Sequence, residues 1–251
     1  ATAQTSPDAS DSPGESGVAT ESSSSPNTAS PSESAAESSS ESTTASSATD
    51  NPTSSNAEQT PPPVSVDQDL QQAETLQTSG QYQAAIALYD SVISQAPNTV
   101  AAYVGRCYSL NQLQRFGEAI GVCDQALALE PNQSRALWSK GFALEQQGNP
   151  SAALQLYNAA LQADAGFAEA WNNKGTALLA LGRNQEAVDA FDQAIALDAM
   201  FAEAWSNRSA ALWSLQRFAQ AVASVERALE IRPDYPEANQ LRQQMRRLRG
   251  L

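Results

Sequence analysis

Few side chains in this sequence could carry out bond-making chemistry. The chain holds 28 Asp and Glu but no histidine, so the commonest general base and metal ligand is missing. Cys107 and Cys123 are the only thiols. No glycine-rich phosphate loop and no nucleophile elbow occurs. The carboxylates fall on polar positions, as at Glu169 and Glu203, where solvation accounts for them. An enzyme is not expected, and no cofactor or metal is called for. The sequence does offer groups suited to recognition rather than catalysis, among them aromatic rings and side-chain amides. Asn132-Gln133-Ser134 and Asn207-Arg208-Ser209 match the glycosylation acceptor pattern, the second by chance inside a predicted helix.

An internal repeat must position these residues. Phe167-Ala168-Glu169-Ala170-Trp171 returns 34 residues later as Phe201-Ala202-Glu203-Ala204-Trp205. Repeats begin at Val66, Val100, Ser134, Ala168 and Ala202. Position 11 is always leucine and position 20 always alanine (Ala85, Ala119, Ala153, Ala187, Ala221). Position 8 is small (Ala73, Cys107, Gly141, Gly175, Ser209), and position 24 is bulky except at Cys123. Large residues at positions 4, 11 and 24 fill the space between helices, and small ones sit where helix axes come closest. Pro97, Pro131 and Pro233 at position 32 stop second helices, with Ala165 and Ala199 in their place in repeats 3 and 4. Gly80, Gly148 and Gly182 supply the turn within a repeat, and Gln114 and Gln216 at the same position imply that this turn does not demand glycine. Cys107 and Cys123 face each other across one repeat. They read either as two small core residues or as a disulfide, the latter of consequence in an exported protein.

A fixed period of 34 with this pattern resembles the tetratricopeptide repeat family, from Val66 to Pro233. The resemblance implies an all-α, right-handed solenoid of five helix–turn–helix repeats (66–99, 100–133, 134–167, 168–201, 202–235). Its expected helix pairs are roughly 66–79 with 82–95, 99–113 with 116–129, 134–147 with 150–163, 168–181 with 184–197 and 202–215 with 218–231. A capping helix lies within 236–251, with Leu241, Met245 and Leu248 on the stripe that covers repeat 5. Asp69, where other repeats carry a bulky residue, reads as part of a polar cap on the first repeat's outer face.

The resemblance further implies a concave groove lined by first helices, which binds a peptide or protein segment. Its positions fall on Val104, Tyr108, Asn111, Arg135, Trp138, Ser139, Phe142, Glu145, Glu169, Asn172, Asn173, Thr176, Glu203, Ser206, Asn207 and Trp213, among others. The ligand-binding set expected from it is Tyr108, Arg135, Trp138, Phe142, Asn172, Asn173, Asn207 and Trp213. The aromatics form an apolar wall for a ligand or pack on neighbouring helices. Asparagine at position 6 (Asn173, Asn207) would bond the main chain of the bound segment, since an amide donates and accepts at once. The clamp by which some relatives grip an acidic C-terminus is absent in every register, and acidic groove residues outnumber Arg135. The expected partner is therefore an apolar or basic segment, recruited by a scaffold or assembly factor. The alternative is a structural spacer or self-associating solenoid in a larger assembly, with the chain a monomer or weakly self-associating.

Residues 1–63 are dominated by Ser, Thr, Ala, Glu and Pro, with nine acidic residues and no Lys or Arg. Such a segment cannot bury enough apolar surface to offset the entropy of ordering, so a disordered acidic tail is expected, spanning about 45 Å as a flexible coil. Pro61-Pro62-Pro63 would end it as a stiff spacer. The net charge is −14, and the one basic cluster is Arg242, Arg246, Arg247 and Arg249 at a helix end. Nucleic acid and anionic membrane surfaces are not expected partners, nor is direct membrane insertion. The chain opens Ala1-Thr2-Ala3, as a domain cut from a longer protein would, or one whose export signal or membrane anchor was removed. An extracytoplasmic or membrane-tethered place suits the second case.

Overall fold

The computed structural model describes residues 65–249, and the expectations for the tail and its proline spacer lie outside them. All regular structure among the described residues is helical. Five pairs follow in order: α1 (Val66–Thr78) with α2 (Tyr82–Gln95), α3 (Val100–Gln112) with α4 (Phe116–Leu129), α5 (Ser134–Gln146) with α6 (Pro150–Ala163), α7 (Ala168–Ala180) with α8 (Asn184–Leu197), and α9 (Ala202–Ser214) with α10 (Phe218–Ile231). A single helix, α11 (Pro236–Arg249), closes the stack. Each helix packs on its partner and on the next pair, and first helices also touch each other. This is a solenoid.

Size complementarity between positions 8 and 24 sets the spacing within a pair. A Cβ on Gly175 would lie 2.4 Å from the buried Phe191 ring, and one on Gly141 would lie 2.8 Å from Tyr157. Repeat 2 replaces ring-on-glycine packing with a covalent bond: Cys107 and Cys123 form a disulfide, Cα–Cα 5.5 Å. Repeat 5 pairs Ser209 with Val225, and the Ser209 hydroxyl donates to the Ala221 carbonyl at 2.7 Å.

Two further devices join the repeats. At position 4, Tyr103, Trp171, Trp205 and Asn239 each donate to the carbonyl six residues earlier, of Pro97, Ala165, Ala199 and Pro233, at 2.9–3.1 Å. Leu137 holds that position in repeat 3 and has no donor. The alanines at position 32 also leave the helix ends unchanged. Where proline is missing, Asp164 and Asp198 accept from the backbone N–H of Gly166 and Met200, both at 2.9 Å, and fold the turn themselves.

One reading is sharpened by the structure and two change. The turn inside each repeat takes a left-handed residue every time: Gly80, Gly148 and Gly182 have φ of +73° to +81°, and Gln114 and Gln216 have +60° and +59°. The turn accepts a residue other than glycine, as expected, but it demands positive φ, and the two glutamines bear backbone strain there. Asp69 is not an outward cap residue. It is 6% exposed and accepts from Ser91 and Gln95 of α2. Ser65 and Gln68 form a capping box at the start of α1. On α11, Ala238 and Met245 are buried, but Leu248 is 66% exposed and takes no part in the cap.

Candidate functional site

Positions 5 and 6 of each first helix set the depth of the trough. Position 5 reads Leu70, Val104, Trp138, Asn172, Ser206, and position 6 reads Gln71, Gly105, Ser139, Asn173, Asn207. In repeats 2 and 3 position 6 is thus glycine and serine, and there the surface opens into a cavity of about 600 Å³. Tyr108, Trp138, Phe167 and Val104 wall it, Gly105 and Ser139 line it between them, and Glu74, Arg135 and Glu169 supply its charges.

The aromatics form a connected set. Trp138 stacks on Tyr108 with centroids 6.1 Å apart and lies 5.4 Å from Phe167 and 6.3 Å from Phe142. Tyr82 and Phe116, which begin second helices, edge against Tyr108 and Phe142 of the following repeats. Lateral packing between repeats therefore holds these rings, while Tyr108 and Trp138 still face the cavity. Burial raises the Tyr108 phenol pKa, with Tyr82 and Glu169 adding to the shift and Arg135 opposing it. Burial, then Glu74, pushes Tyr89 up to about 12. Both phenols stay neutral donors near pH 7.

Position 12 does a different job from the one its place in the groove suggested. Gln77 accepts from the Tyr89 hydroxyl at 2.8 Å. Asn111 donates to the Ser139 carbonyl at 2.8 Å. Glu145 accepts from Tyr157 at 2.6 Å and from Thr176 at 2.8 Å, and burial raises its pKa against the pull of those two bonds. These side chains link helices within and between repeats. Glu203 likewise pairs with Arg232, which leaves Glu74 and Glu169 as the carboxylates at the cavity.

The eight expected site residues separate into groups. Tyr108, Arg135 and Trp138 come together at the cavity, with Phe142 behind Trp138. Asn172, Asn173 and Asn207 form a chain of amides: Asn207 donates to Asn172 Oδ1 at 3.0 Å, and Asn172 donates to Asn173 Oδ1 at 3.3 Å. Trp213 packs edge-on against Phe218, 4.7 Å away, and does not line the cavity. Gly105, Gln133 and Phe167 line it without having been anticipated. Phe167 stood out in the sequence only as part of the recurring pentapeptide; its place just before a first helix was the available clue. Among the described residues no group of His, Cys, Asp or Glu could hold a metal ion, and no helix is long and apolar enough to cross a membrane.

Comparison with known proteins gives the same architecture. The chain is similar in structure to TTC0263 from Thermus thermophilus, a thermophilic TPR protein, with 19% identity over 72% of this chain and 98% of that one and a TM-score of 0.61. It is similar to YrrB, described as a TPR protein with an unusual peptide-binding site, with 21% identity, coverage of 71% and 92%, and a TM-score of 0.55. For MamA from Desulfovibrio magneticus RS-1 the values are 18%, 68% and 97%, and 0.57. No curated protein matches the chain by sequence. The family model for the tetratricopeptide repeat matches residues 70–134, 112–168 and 172–236, well over half of the chain, so with its stacked helix pairs this chain belongs to the tetratricopeptide repeat family.

Proposed function

We propose that this chain is a non-enzymatic protein-interaction module. Its trough takes an extended segment of another protein, apolar or basic rather than acidic, in the manner of a scaffold or assembly factor. The observation that carries this reading is the cavity across repeats 1 to 4, walled by Tyr108, Trp138 and Phe167 with Glu74 and Glu169 beside Arg135. Cavities of this size with apolar walls and a few convergent polar groups are where ligands seat. The peptide-binding site named for YrrB supports it by likeness of fold. Tyr108, Arg135 and Trp138 make the main seat, and Phe142, Asn172, Asn173, Asn207 and Trp213 continue it toward the C-terminal repeats.

Titration of the full chain with peptides of equal apolar content bearing Lys/Arg, Ser or Glu, followed by tryptophan fluorescence, tests this. The basic and neutral sets are expected to bind, and tighter binding of the acidic set contradicts the reading. Asn173→Ala with Asn207→Ala should weaken binding a few-fold with far-UV dichroism unchanged.

A second reading, self-association, is favoured by one observation. Leu248 is exposed beside exposed Arg246 and Arg247 at the end of α11, an apolar and basic feature of the kind the trough would accept from a second copy. Sedimentation over a hundredfold range of concentration, with Leu248→Glu as control, separates the two.

A further inference from the structure

We propose that the main chain of the bound segment is held chiefly by two groups on α5, the indole N–H of Trp138 and the hydroxyl of Ser139, rather than by the asparagines at position 6. The inference rests on the groove reading above and deepens it. Ser139 is 1% exposed, its Oγ has no hydrogen-bond partner in the protein, and it lines the cavity. Trp138 Nε1 is likewise buried and without a partner, although the indole N–H groups of Trp171 and Trp205 each donate to a carbonyl at 3.0 Å. An indole N–H can only donate, and a hydroxyl donates readily. A buried donor with no acceptor costs stability, so a folded chain that keeps two of them on adjacent cavity-lining residues invites an acceptor from outside. Successive carbonyls of an extended peptide are such acceptors.

The asparagines are differently placed. Asn173 and Asn207 occupy the same repeat position as Ser139, but Asn172 engages the Asn173 oxygen and the Asn207 nitrogen. Their amides already serve each other across the joint between repeats 4 and 5. Ser139 is shorter, and its predecessor at position 6 is Gly105, whose missing side chain leaves room for the Tyr89 ring and a deeper floor. A segment lying over Gly105 and Ser139 can bring its backbone close to α5. Glu74 and Glu169 at the cavity then favour a basic side chain on that segment, while the stacked Tyr108 and Trp138 rings take an apolar one.

Ser139→Ala in the full chain provides the test, because it acts oppositely on the free and bound states. The probe is the tightest-binding peptide of the apolar–basic panel. Ser139→Ala should weaken its binding about five- to tenfold, the worth of one neutral hydrogen bond, with the melting temperature of the free chain unchanged or raised. Trp138→Phe, which keeps an aromatic ring and loses the N–H, should also weaken binding, and the double variant more than either. If wild type and Ser139→Ala bind that peptide within twofold, or if Ser139→Ala lowers the melting temperature, the assignment is overturned while the groove reading stands. If wild type binds none of the panel, the groove reading falls and takes the assignment with it.

Discussion

The two halves of the solenoid share a backbone and use it differently. From the second helix of repeat 3 onward, one large apolar cluster runs from Ala153 and Tyr157 through Phe191, Leu212 and Val225 to Met245 of α11, with a smaller one of Leu137, Ala160, Leu161 and Ala170 beside it. The buried residues of repeats 1 and 2 fall into smaller separate clusters. There, polar bonds to Gln77 and Asn111 and the Cys107–Cys123 disulfide join the helices. Position 12 shows the contrast: Gln77, Asn111 and Glu145 in repeats 1 to 3 give way to Leu179 and Trp213. Its partner at position 24 changes with it, since Tyr89 and Tyr157 meet polar residues whereas Phe191 and Val225 do not. Of the buried polar groups without a partner, Trp138 and Ser139 line the cavity, Asn111 lies in repeat 2 and Arg242 in α11. The C-terminal half is joined by one long apolar core, whereas the N-terminal half, up to α5, relies more on polar bonds and a disulfide and surrounds the cavity.

Reducing or removing the disulfide should break this comparison most strongly. Cys107→Ser with Cys123→Ser is expected to cost about 3 kcal/mol, the chain-entropy value for a loop of this length. Denaturant melts with and without reductant, with hydrogen exchange to localise the loss to α3 and α4, check it. Gly175→Ala probes the other half: its methyl group would meet Phe191, costing about 2 kcal/mol by overpacking in a calorimetric scan. Gln114→Gly and Gln216→Gly should each stabilise the chain by about 1 kcal/mol by releasing left-handed strain, one in each half. Equal gains would show that the strain belongs to the turn and not to the groove.

The smallest effect is one of pH. Burial raises the Glu145 pKa, so the folded state holds that proton more tightly than the unfolded one. Its stability contribution is full below the ordinary carboxylate range and is lost as pH rises through the raised value. Glu145→Gln should remove that dependence, so wild type should gain stability relative to the variant as pH falls from 7 toward 4 in paired denaturant melts. A difference independent of pH would mean that Glu145 is not perturbed in the fold.

Much of the backbone was legible in the sequence because each repeat states the pattern again. The leucines of position 11 and alanines of position 20 placed the helix pairs, and the second helices begin and end where the period puts them. Legibility stopped where one side chain's role depends on a neighbouring helix or repeat. Asp69 looked like a surface acid because its partners, Ser91 and Gln95, are on another helix. The glutamines at position 15 showed that the turn does not require glycine but not the positive φ they adopt, since sequence does not display φ. The aromatics of the groove were identifiable by position. Which of them face open space was not, because this follows from the small residues Gly105 and Ser139 between them, and from Phe218 taking up Trp213.

The N-terminal half of the trough is the main seat for the bound segment. Peptide affinity of Trp138→Ala set beside that of Trp213→Ala decides it. A loss of at least tenfold is predicted for Trp138→Ala, and at most a few-fold loss, with lowered thermal stability, for Trp213→Ala. Equal losses, or the larger loss at Trp213, would contradict a seat built on Tyr108 and Trp138.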